Sequence, residues 1–163
     1  MTLATIFSFL ARDTVAGTAL GLFTGAWLAT SLAMLSAPQP GATSDALGAF
    51  YIALAATMAV LVAGASSGKA GPAVVIVVGA ARFLLAGLFE IKGSPGLEHV
   101  AGIVGFVLAA SALYSALATE LEDVQGHSKL PIGRRARARD AIEGPFERQL
   151  DLLEHEAGVR QQL

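Results

Sequence analysis

The chain has no cysteine, which excludes disulfide frameworks and thiolate metal sites and leaves its redox compartment open. Charge is scarce as well: 15% of the 163 residues, against roughly a quarter in an ordinary soluble domain. The net charge of −2 and the lack of any basic footprint beyond one short run give no reason to expect nucleic acid or another strongly charged partner. Its three histidines, His99, His127 and His155, lie far apart, none at helical spacing from another, so neither metal nor cofactor is expected. A hydrolase needs a nucleophile, a base and an orienting group within reach, and most of this chain offers almost no titratable group. An enzyme is therefore not expected. A leading basic residue is also missing, so Met1 to Ala11 reads not as a signal peptide but as the end of a helix, or a short capping helix, stopped by Arg12 and Asp13.

What is present is apolar and unevenly spread. Hydrophobic residues make up 54% of the chain, and residues 1 to 119 carry only eight charged side chains where residues 120 to 163 carry sixteen. Two solvents are implied. A helix crossing about 30 Å of hydrocarbon needs about 20 mostly apolar residues, because only internal hydrogen bonding satisfies its backbone in lipid. Uncharged stretches of that length place transmembrane helices at about 14–36, 44–66, 72–91 and 98–119, the third interrupted by Arg82. The breaks between them carry turn chemistry: Pro38, Pro40 and Gly41, then Ser66 to Gly71, then Gly93 to Gly96. Ser44 suits a helix cap and Pro72 a first turn. The expected fold is an all-α polytopic membrane bundle, four full helices plus a partial N-terminal one, with a charged cytoplasmic tail over 120–163. Lys and Arg near helix ends are retained inside, and Arg12, Lys69 and the run Arg134, Arg135, Arg137, Arg139 fall on one side. Lys92 alone dissents, so both termini are expected in the cytoplasm.

Several residues could carry function. Gly17, Gly21, Gly25, Ala29 and Ala33 recur every four residues as a small-residue stripe, which suits intramolecular packing or a contact between protomers or along a pore. Arg82 lies about 15 Å from either end of its helix, near the bilayer midplane. An arginine there costs about 2.5 to 3.5 kcal/mol on insertion scales, so it should face a bundle interior, a cavity or a carboxylate. Two readings follow. Arg82 pairs with Glu90 two turns on, or it supplies the fixed positive charge of an anion path. The aromatic residues Phe23, Trp27, Phe50, Tyr51, Phe83, Phe89 and Tyr114 could line a constriction or simply fill core and interfacial belt. His99 suits an interfacial position better than a proton relay. Gly64 to Gly71, GASSGKAG, lacks the spacing and ending of a phosphate loop and is a turn. In the tail, Phe146, Leu150 and Leu153 at helical spacing after Pro145 predict a short amphipathic helix for a membrane surface or a partner.

The last helix and its exit read Ala101-Gly102-Ile103-Val104-Gly105, then Ala110-Ser111-Ala112-Leu113-Tyr114, then Leu130-Pro131-Ile132-Gly133. This order and spacing resembles the end of the acetate uptake transporters, the YaaH or acetate/succinate–proton symporter family. The similarity runs back through His99, Phe83, Gly64 and Leu47-Gly48 to Thr14–Trp27, which resembles the family's third helix. It covers about residues 5 to 133. The resemblance implies a six-helix transporter in the plasma membrane that forms a homo-hexamer and moves small monocarboxylates such as acetate, or succinate, coupled to protons or channel-like. The family's Asn-Pro-Ala-Pro-Leu-Gly-Leu signature does not occur here, so the expectation is a member lacking the first helix and most of the second. By the resemblance Phe23 falls at an aromatic constriction residue and Gly79 at an apolar one, while Arg82 stands where the family has an apolar residue. The expected substrate path is thus Phe23, Trp27, Gly79, Arg82 and Tyr114, with Gly17, Gly21 and Gly25 for helix packing. The rival expectation is a non-transporting scaffold, or a degenerate transporter fragment, whose tail binds a partner.

Overall fold

The computed structural model describes residues 1–11, 13–36, 41–65, 70–125, 127, 129–134 and 144–147. Five α-helices follow one another: α1 (Thr2–Leu10), α2 (Thr14–Ser36), α3 (Asp45–Ala65), α4 (Ala70–Lys92) and α5 (Pro95–Gln125). The last four are long and apolar enough to cross a membrane. Three match the sequence expectation within two residues at each end. The fourth does not: α5 begins at Pro95 and runs six residues past the expected stop at 119, through Glu120, Glu122 and Asp123. Charge ends a span in lipid, but it does not end a helix whose backbone keeps bonding in water. The expected amphipathic tail helix is represented only by Phe146 and Glu147, since Leu150 and Leu153 lie outside the described residues.

The helix ends have local causes. Asp13 Oδ1 accepts from Ala16 N at 2.9 Å and caps α2, while Ser44 Oγ accepts from Leu47 N at 3.3 Å and caps α3. Pro72 occupies the first turn of α4, where a missing N–H is harmless. Gly93, at φ +61°, ends α4 in the left-handed conformation that a side chain would resist. Within the spans, hydroxyls turn back on their own helix. Thr18, Thr24 and Thr57 donate to the carbonyls of Thr14, Leu20 and Ala53, so none presents an unsatisfied polar group to lipid.

The helices form a row in chain order, each packed chiefly on the next. The α3/α4 interface is the most extensive, and its cause is a glycine pair. A Cβ on Gly48 would lie 2.9 Å from Gly87 O, and one on Gly87 would lie 2.8 Å from Gly48 O. Backbone therefore meets backbone, the close approach small residues permit in membranes. Along this crossing Tyr51, Leu54, Ala55 and Met58 of α3 meet Ala73, Ile76, Phe83 and Ala86 of α4, with Ala19 and Ala26 of α2 completing the core.

The glycine stripe on α2 divides in two. A Cβ on Gly17 would touch the Phe9 ring at 3.1 Å and one on Gly21 would meet Thr5 Cγ2 at 3.4 Å, so the first half receives α1. Gly25 has nothing within 4 Å.

Candidate functional site

Two features stand near mid-height on different flanks of α4. The first is an aromatic cluster where α2, α3 and α4 meet. Phe23 Cζ lies 2.8 Å from the position a Cβ on Gly79 would take, with Met58 Sδ at 3.6 Å from the same point. Residue 79 must be glycine for the ring to sit there. Phe23 and Phe83 have ring centroids 5.8 Å apart, and Phe83 and Tyr51 5.6 Å, both tilted, a favourable arrangement of ring quadrupoles. The Tyr51 hydroxyl hydrogen-bonds Thr30 Oγ1, which itself donates to Ala26 O at 2.7 Å. The buried phenol is thereby satisfied, and α2 is tied to α3.

The second feature is Arg82. It lies twelve residues from Ala70 and ten from Lys92, about 15 to 18 Å from either end of α4. Its side chain runs across α5 at Gly105, where a Cβ would stand 3.2 Å from Nε and 3.6 Å from Cδ. Gly105 thus gives the arginine room to lie against α5. Among the described residues Arg82 has no hydrogen bond and no ion pair. The expected pairing with Glu90 does not form, because Glu90 Oε2 accepts from Ser44 N at 2.8 Å, at the start of α3. Eight residues separate the two along α4, about 12 Å of rise, more than either side chain spans against a nearer donor.

The expected path residues therefore do not form one site. Phe23 and Gly79 are in contact, and Arg82 is on the neighbouring flank facing α5. Trp27 is 57% exposed on the outside of α2. Tyr114 stands nine residues beyond Gly105 on α5 and donates its hydroxyl to Pro131 O at 3.1 Å, holding the segment after the helix. Gly105, Thr30 and Met58 were not singled out as site residues by sequence. For Gly105 a signal was at hand, since an arginine in lipid needs a small residue opposite to lie flat. No group of three or more His, Asp or Glu close enough to hold a metal exists among the described residues.

Four apolar spans, glycine-mediated helix contact and hydroxyls returned to their own backbone define the class: a multi-pass α-helical membrane protein. Neither the family models nor the curated proteins compared with the chain match it.

Proposed function

We propose that this protein carries small monocarboxylates, acetate first and succinate second, across the plasma membrane, in a proton-coupled or channel-like manner. The observation that carries the reading is Arg82: a guanidinium at mid-height, lying against Gly105 of α5, without a protein counter-charge among the described residues. A fixed positive charge with apolar walls favours a carboxylate and disfavours hydrated cations. A guanidinium also matches a carboxylate geometrically, with two parallel N–H···O bonds.

The resemblance of the last helix to the acetate uptake transporters supports the same substrate class. It further suggests a homo-hexamer. Arg12, Lys69 and Arg134 on one side support cytoplasmic termini. On this reading the seam between α4 and α5 is the anion's route, and the cluster at Phe23 and Gly79, where the ring fills the place of a side chain, is a closed wall beside it.

Uptake of labelled acetate by proteoliposomes tests the proposal. Wild-type vesicles are expected to accumulate acetate saturably above empty vesicles, Arg82→Leu to reduce this by roughly a hundredfold, and Arg82→Lys to retain part of it, since a lost charge-assisted hydrogen bond is worth about 3 kcal/mol. Equal uptake by wild type and Arg82→Leu would sink the reading.

A further inference from the structure

The segment after α5 folds back onto the start of α4, and four residues in a row, Pro131 to Arg134, are tied to α4 or α5 by different chemistry. Pro131 O accepts from the Tyr114 hydroxyl at 3.1 Å. Ile132 O accepts from Gly71 N at 2.8 Å and Gly133 O from Ala70 N at 3.2 Å, which satisfies two of the N–H groups a helix start leaves open. Gly133 takes φ +67°, and a Cβ on it would lie 2.7 Å from Ala70 Cβ, so only glycine turns the chain this close to α4. Arg134 then pairs with Glu122 of α5, Nε donating to Oε2 at 3.0 Å and Nη2 bonding Oε1. The Glu122 side chain is 3% exposed and that of Arg134 15%.

Ile132 is what these ties hold in place. It is 2% exposed. Its Cγ2 stands 3.1 Å from the position of a Cβ on Gly71, with Ser115 Oγ of α5 at 3.6 Å from the same point. The side chain therefore sits between α4 and α5. Gly71 precedes Arg82 by eleven residues, three turns on the same face of α4, which puts Ile132 and Arg82 at two levels of the α4/α5 seam, about 16 Å apart.

We infer that residues 130–134 are a plug on the α4/α5 seam, with Ile132 as the stopper and the Glu122–Arg134 pair as its lock, and that releasing the lock admits water between the two helices. Removing one member of a buried pair leaves the other charge desolvated and uncompensated, which strongly disfavours the closed arrangement. Restoring opposite charges in reverse order relieves that. The inference rests on the proposed carboxylate route only for what passes; the plug itself is tested without any substrate.

The absence of native cysteine makes the test direct. Ser115→Cys is introduced in the full chain in proteoliposomes and its reaction rate with a membrane-impermeant thiosulfonate is measured from the side of the plug. The rate is expected to rise at least about tenfold when Arg134→Ala or Ile132→Ala is added, the second variant leaving the ion pair whole. It should fall back toward the starting value in the exchange Glu122→Arg with Arg134→Glu. A core cysteine, Ala55→Cys, should stay protected in every background. Unchanged Ser115→Cys reactivity in both Arg134→Ala and Ile132→Ala would overturn the plug. An equal gain at Ala55→Cys would overturn it too, as general loosening. Failed acetate uptake alongside the expected labelling would refute the transport reading and leave the plug standing.

Discussion

At the scale of single residues, the arginine and the glycine opposite it act as a pair. Gly105 on α5 leaves the space through which Arg82 extends, with Nε 3.2 Å from where a methyl group would stand. A methyl there displaces a flexible side chain by a few tenths of an ångström, but a branched side chain removes the space. Gly102, one turn earlier, has nothing within 4 Å and serves as the control. On the proposed carboxylate route, Gly105→Leu is expected to weaken apparent acetate affinity by roughly tenfold, about 1.4 kcal/mol, whereas Gly102→Leu leaves it unchanged. Concentration dependence of proteoliposome uptake separates the two. Equal effects at 102 and 105 would show that α5 tolerates no bulk, not that Arg82 is positioned by Gly105. Much at this scale was hidden from sequence. That Arg82 needed a polar setting was legible from its depth alone. That Glu90 was already engaged was not, because its donor, Ser44 N, lies 46 residues away at the cap of another helix.

At the scale of helices, contacts are decided by where side chains are missing. Gly48 and Gly87 let α3 and α4 cross with their backbones touching, and the obstacle to any side chain there is a carbonyl oxygen, which cannot rotate aside. Gly87→Val should destabilise the protein by about 1 to 3 kcal/mol through overpacking, read as a lower unfolding midpoint in detergent. Gly25→Ala, with open space around it, should be neutral or slightly stabilising, because alanine is the better helix former. A loss at Gly25 as large as at Gly87 would contradict this assignment of the packing. The positions of α2, α3 and α4 were legible because the length of an uncharged run is itself the physical requirement for crossing a bilayer. The end of α5 was misread for the same reason: Glu120, Glu122 and Asp123 signal water, and the helix continues into it. The small-residue stripe on α2 was visible as a pattern, yet only the fold shows that Gly17 and Gly21 receive Phe9 and Thr5 of α1.

At the scale of the whole molecule, five helices in a row leave apolar side chains outward on every span, from Leu32 on α2 to Phe106 and Leu113 on α5. Such a surface would be an aggregation hazard in water and is ordinary in lipid. The row gives α4 two packed flanks: one filled by Phe23 against Gly79, the other facing α5 with Arg82 at mid-height and Ile132 at one end. The returning segment 130–134 could not be placed from sequence, since its partners Ala70 and Gly71 are some sixty residues earlier and no periodicity links them. Only its motif was apparent, through the family resemblance.

On the proposed function a carboxylate sits on Arg82. Solid-state NMR on the reconstituted protein, with ¹⁵N in its arginines and ¹³C in the carboxyl of added acetate, tests this most directly. Dipolar coupling is expected for a carbon to guanidinium nitrogen distance of about 4 Å, as charge-assisted hydrogen bonding requires, and is lost in Arg82→Leu. Absence of the coupling in wild type, or its persistence in Arg82→Leu, would contradict it.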